Sequence, residues 1–147
     1  MTPTQPNRAL EDLLARLHRW ARSRADVDAV LLVGSWARNE AGPDSDVDIV
    51  IVARDPQPLL DDRSWLGAMG EVVQVEVEDW GRVQSLRVMH GSGLEVEYGL
   101  TDPGWLVEPL DPGTQAVLGD GVKIIWDLDH HLESRLGKFV ENSGGRE

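Results

Sequence analysis

The chain contains no cysteine. Disulfides, zinc–thiolate centres and thiol nucleophiles are therefore excluded, and the absence fits a cytoplasmic protein. Long hydrophobic runs are missing as well. Nothing approaches the roughly 20 apolar residues needed to cross a bilayer. The opening MTPTQPNRALEDLL has no basic region followed by an apolar stretch, so neither membrane insertion nor secretion is expected. Positive charge is scarce: 14 Lys and Arg stand against 26 Asp and Glu, for a formal charge of −12. A surface of that sign repels a polyanion, which argues against DNA as a partner.

What is present fits one domain spanning residues 1–147, with 1–6 and 141–147 as loose tails. Apolar residues make up 41% and charged residues 27%, values of neither a disordered nor a fibrous chain. The acidity is uneven. Residues 1–38 hold six Arg and four acidic residues, whereas residues 39–147 hold eight basic and 22 acidic ones. A basic protein or a small cationic molecule suits such a surface, although acidity of this kind also serves solubility alone.

Leu10, Leu13, Leu14, Leu17 and Trp20 recur at three-four spacing, predicting a helix from about 8 to 24 with Asn7 as its cap. The unbroken apolar run Ala29 to Val33 predicts a strand covered on both faces, ended by Gly34. In DVDIVIV a second strand follows, with Val47, Ile49 and Ile51 on one face and Asp46, Asp48, Val50 and Val52 on the other. Residues 61–69 suggest a short helix carrying Trp65, Leu66 and Met69. Strand-like runs then cover 72–77, 83–88 and 94–100, joined by short glycine-containing turns that favour antiparallel neighbours. The early Val-rich strands are free to run parallel, so a mixed sheet is expected. Asp111-Pro112 starts a short helix ending near Gly119. Residues 122–126 form a last strand, and 129–140 a helix carrying Leu132, Leu136, Phe139 and Val140.

The informative segment is GSWARNEAGPDSDVDIVIV, residues 34–52. Asp46 and Asp48 lie two apart on a strand, so their carboxylates leave the same face. Two such groups repel unless a cation joins them, and an all-oxygen site without cysteine suits Mg²⁺ or Mn²⁺. Gly34 lets backbone approach a ligand closely. A helical turn opening at Ser35 would present amides and a hydroxyl to phosphate, with Arg38 one turn later adding charge. A calcium-loop reading of Asp44, Asp46 and Asp48 fails at Ile49, where the tight turn needs glycine.

This segment resembles the signature of the DNA polymerase beta-like nucleotidyltransferase superfamily: Gly-Ser, a spacer of about ten residues, then Asp-x-Asp on a strand. Pro43-Asp44-Ser45-Asp46 is similar to the small bacterial minimal members. The resemblance implies an α/β (α+β) fold, with a mixed, mostly antiparallel sheet flanked by helices. It implies transfer of a nucleoside monophosphate, AMP from ATP, to a hydroxyl acceptor with divalent ions. Gly34, Ser35, Arg38 and Ser45 then become candidates for nucleotide binding, and Asp46 and Asp48 for the metal. The superfamily adds a third carboxylate from a later strand. Glu97 is favoured for its central place in LEVEYG; Glu95 shares its face, and Glu76 or Glu78 remain open.

Two acceptor classes fit a short chain: a cationic antibiotic of the aminoglycoside type, or a partner toxin modified by a toxin–antitoxin nucleotidyltransferase. The small size tilts toward the second. A non-catalytic nucleotide- or protein-binding module of the same fold, such as an antitoxin acting by binding, is the alternative from another class. Elsewhere, His130 and His131 with Asp127 and Asp129 read as solvated residues near a helix start, and His18 and His90 have no evident partners. Trp20 and Trp65 belong to the core, and Trp36 lies beside the site or lines a nucleotide pocket. Trp80 and Trp105 cover the sheet or line an acceptor cleft.

Overall fold

A computed structural model of the chain describes residues 6–37, 46–80, 83–107, 109–128, 132 and 136. Helix α1 (Pro6–Arg22) leads into β1 (Val27–Val33) and β2 (Val47–Ala53). Helix α2 (Gln57–Asp61) and a 3-10 stretch (Arg63–Met69) precede β3 (Val72–Trp80), β4 (Val83–His90) and β5 (Glu95–Thr101). A 3-10 turn (Pro103–Leu106), α3 (Pro112–Gly119) and β6 (Val122–Asp127) follow. The six strands form one sheet in the order β3-β4-β5-β2-β1-β6. The β2–β5 pair is parallel, and the other four neighbouring pairs are antiparallel. This is the mixed, helix-flanked sheet expected from the sequence. The Val-rich β1 and β2, for which a parallel arrangement was open, run antiparallel.

Alternation along the central strands builds a separate apolar layer on each face of the sheet. Val30 and Leu32 of β1, Val47, Ile49 and Ile51 of β2, and Val96, Tyr98 and Leu100 of β5 point to the face covered by α1. There Leu10, Leu13, Leu17 and Ala21 supply the helix stripe. Ala29, Leu31 and Val33 with Val50 and Val52 point the other way, against Trp105, Leu106, Leu118, Leu132 and Leu136. The strand at residues 29–33 is thus buried on both sides, as its unbroken apolar run requires.

Three local expectations are corrected. Helix α1 begins at Pro6, so Asn7 lies inside its first turn and is not its cap; proline fits there because that turn has no use for its missing N–H. The helix expected over 61–69 is the 3-10 stretch Arg63–Met69, and α2 at Gln57–Asp61 precedes it where only a break was expected. Asp62 adopts an extended conformation between them and accepts a hydrogen bond from the Ser64 amide. Both histidines thought to be without partners have them. His18 packs edge-on to Trp126 at 5.4 Å, and buried His90 bonds the Glu71 carbonyl and the Tyr98 hydroxyl. Trp20 stacks on Trp65 at 5.0 Å, as core residues should. Of the helix expected at 129–140, Leu132 and Leu136 are described, and both are buried. Phe139, Val140, His130, His131 and Asp129 lie outside the described residues, as do most of the two expected tails.

Candidate active site

Gly34 closes β1 with φ of +81°, a left-handed conformation that favours glycine. Its amide donates to the Gly121 carbonyl at 3.3 Å, which ties the turn to the start of β6. That amide is consequently not among the donors the turn can offer a phosphate. Residues 35–37 continue as a turn. Trp36 packs against the α1-side core and is not part of the cavity lining. Arg38 and Ser45, both candidates for nucleotide binding, lie outside the described residues, as does Asp44.

Register explains why glycine stands at position 34. Asp48 pairs with Val33 across the antiparallel β1–β2 ladder. Its Oδ2 lies 2.9 Å from where a Cβ at Gly34 would sit. The carboxylate of Asp48 therefore occupies the space that a side chain at Gly34 would need, although Asp48 lies 14 positions further along the chain.

On its other side β2 runs parallel to β5, and Asp48 pairs with Glu97. Glu95, two residues earlier, shares that face and lies in register with Met89 of β4. Asp48 is thus flanked by Glu97 across the ladder and Asp46 along the strand. Burial first, then repulsion from Glu97 and from Asp46, pushes the Asp48 carboxyl up to about 6, with partial relief from Arg87.

Arg87 is the residue that nothing in the spacing singled out. It sits on β4 between Glu97 of β5 and Glu76 of β3. Its Nη1 donates to Asp46 at 2.8 Å and to Glu95 at 2.9 Å, and its Nη2 donates to Glu97 at 3.0 Å. Its Nε reaches Glu78 at 3.4 Å. Hydrogen bonds to Asp46 and Glu95 hold its proton even more firmly than usual. The candidates Asp46, Glu95, Glu97 and Glu78 are thus brought to one guanidinium, while Glu76 bonds Gln74 on its own strand.

The fit to a divalent cation can be judged from these contacts. The donors are oxygens, two of them raise the pKa of the third, and a cation already stands among them. The residue types therefore fit Mg²⁺ or Mn²⁺. Their present arrangement serves the guanidinium: among the described residues no three acidic or histidine side chains converge closely enough to share one ion.

Beside the carboxylates opens a cavity of about 580 Å³. Asp48, Glu97 and Gly34 stand on one side of it, Val50, Ser85 and Gly99 line the sheet, and Trp105 with residues 112–114 of α3 covers it. Gly99 faces this space without a side chain, and Trp105, 4% exposed, both covers the sheet and lines the cavity. The Thr114 hydroxyl in this lining is buried without a hydrogen-bond partner. Gly99, Thr114 and Val83 carried no signal in the sequence, because lining a cavity depends on what packs opposite.

With this geometry established, comparison with known proteins decides the family. Residues 7–90 match the family described as streptomycin adenylyltransferase, more than half of the chain. The chain belongs to that family. As a member of the streptomycin adenylyltransferase family it carries the resemblance read from Gly34-Ser35 and Asp46-x-Asp48, and the matched segment includes Arg87 but ends before Glu97. An aminoglycoside 6-adenyltransferase from Bacillus subtilis is similar in structure, with 12% identity and a TM-score of 0.50. The similarity covers 71% of this chain and 37% of that one. Cid1 in complex with the UTP analog UMPNPP gives 16% identity and a TM-score of 0.49, over 65% of this chain and 30% of that one. The chain thus spans about a third of the length of these structures. No curated protein sequence matches it. Family and fold together support nucleotidyl transfer in general, on the polymerase beta-like fold.

Proposed function

We propose that this family member transfers AMP from ATP to a hydroxyl of a cationic small molecule of the aminoglycoside type, with the sheet and its helices acting as one unit. The observation that carries the proposal is the Asp48–Glu97 pairing against Gly34, which sets two carboxylates beside a glycine turn at the mouth of a cavity. Asp46 and Asp48 would hold divalent cations, and Glu97 would complete the ligand set. When bound, such cations neutralise triphosphate charge and lower the pKa of an acceptor hydroxyl. Ser35 and the turn beyond it would meet the phosphates, with Arg38 and Ser45 as further candidates. Asp48, protonated more readily than an ordinary aspartate, would be held ionised by a neighbouring cation.

The small cationic acceptor is favoured over a partner toxin for two reasons: the matched family, and a net charge of −12 that attracts a polyamine. Incubation with labelled ATP, Mg²⁺ and either an aminoglycoside panel or a cell extract tests this. Label on the drug supports the proposal, and label on a protein band supports the toxin-directed reading. A folded sample that binds no nucleotide in the presence of metal refutes both.

One observation favours a non-catalytic module: Arg87 forms ion pairs with Asp46, Glu95 and Glu97. Asp48→Asn discriminates. A biological effect that survives this substitution indicates binding, and one that vanishes from a folded variant indicates catalysis.

A further inference from the structure

Arg87 stands where a cation has to stand if Asp46 and Glu97 are to carry metal. We infer that its guanidinium is a built-in competitor for the divalent cation, one that neutralises the carboxylates in the metal-free protein and shifts aside on β4 when metal enters. The inference rests on the metal-dependent function proposed above.

The four partners of Arg87 fall into two pairs. Asp46 and Glu97 belong to the proposed metal set. Glu95 and Glu78 do not. Arg87 therefore has a second seat. Released from Asp46 and Glu97, it retains Glu95 through Nη1 and Glu78 through Nε. Glu78 has capacity to spare, because its Oε1 is buried without a hydrogen-bond partner. A buried carboxylate oxygen left unpaired is costly, and a guanidinium moving toward it satisfies it. The position of β4 between β5 and β3 puts both seats within reach of one side chain. The side chain is 26% exposed, so neither seat is sealed.

The arrangement also explains why, among the described residues, the acids do not converge as metal ligands. A guanidinium presents its donors as a planar fork and draws carboxylates to its rim, whereas a metal ion gathers oxygens around one point. Exchanging one for the other keeps the charge of the cluster compensated throughout.

Mn²⁺ binding, followed by calorimetry and by the electron-spin resonance of the free ion, tests the inference on the full chain. Arg87→Met is expected to bind Mn²⁺ about tenfold more tightly than the unaltered protein, as a net loss of one charge-assisted hydrogen bond predicts when two are broken and one is regained at Glu78. Its melting temperature should fall in chelator and recover with Mn²⁺ by more than that of the unaltered chain. Arg87→Lys folds with the charge retained but cannot bond three carboxylates at once, and it should lie between the two. Removing the second seat, with Glu78→Gln and Glu95→Gln together, should weaken Mn²⁺ binding. If the unaltered protein binds Mn²⁺ and neither Arg87 variant binds it more tightly, the competitor role is overturned. If no form binds Mn²⁺, the metal-dependent function fails with it.

Discussion

Asp48 and Glu97 face each other across the parallel β2–β5 ladder, two like charges held in register by the backbone. Parallel pairing at this point converts a distance of 49 residues along the chain into a single cross-strand step. Such a pair is a cost to the fold and an asset only to a cation.

Asp48→Asn should therefore separate stability from activity. The Asp48 carboxyl is raised from 3.8 to about 6 on folding, so the folded state keeps its proton to higher pH than the unfolded chain does. The cost of ionising it develops as pH rises through that window and is complete above it. The variant should melt higher than the unaltered protein at about pH 7.5, with the difference vanishing near pH 4. Nucleotidyl transfer should fall by more than about a hundredfold, since even groups outside the ligand shell cost 10–100-fold.

At Gly34 an alanine meets two obstacles, the left-handed backbone and the Asp48 oxygen 2.9 Å away. The backbone alone costs roughly 1–2 kcal/mol. Denaturant unfolding should show Gly34→Ala losing more than that, and losing less when Asp48 is also replaced by Ala. The difference measures the contact between turn and carboxylate.

Filling the floor of the cavity should act on substrate binding. A Cβ at Gly99 would come within 3.0 Å of Val83 Cγ1, a side chain on the cavity wall that can yield. Gly99→Val suits a strand and occupies the cavity. It should raise KM for the substrate held there while the melting temperature changes little; an unchanged KM would place both substrates elsewhere.

His90 contributes to the loss of stability on the acid side. Its Nδ1 donates to the Glu71 carbonyl, so its Nε2 accepts from the Tyr98 hydroxyl at 2.7 Å. Burial holds its pKa below the ordinary 6.5, and the unfolded chain takes up the proton first. Stability from this group is fully present above about pH 6.5 and is lost as pH falls toward the folded value. In an Asp48→Asn background, melting should drop on acidification below that point, and less so once His90 is replaced by Gln. Tyr98→Phe leaves the imidazole without its donor and should cost about 1–3 kcal/mol.

The strands were legible in the sequence because their alternation is a local property. Val47, Ile49 and Ile51 against Val50 and Val52 name two faces before any partner is known. The Gly34-Ser35 and Asp46-x-Asp48 segment was legible for a different reason: a close approach of backbone to carboxylate demands a residue type at a spacing. Arg87 was not. A basic residue on a strand looks like any solvated charge until β3, β5 and the start of β2 are assembled around it, and its four acidic partners come from three separate stretches of chain. Gly99, Val83 and Thr114 share that difficulty, since a cavity belongs to no single segment. Helix α2 was not legible because Pro56 and Pro58 read as a break, although a proline fits the first turn of a helix.

The sheet keeps its two hydrophobic layers apart, with Leu17 of α1 and Ile51 of β2 in one and Val50 and Trp105, beside the cavity, in the other. Substitutions in opposite layers share few neighbours, so their effects on folding should sum independently. A lineage can then remodel the lining for a new acceptor while the α1 layer carries the thermodynamic burden. Specificity is free to drift on one side of a scaffold whose other side stays put.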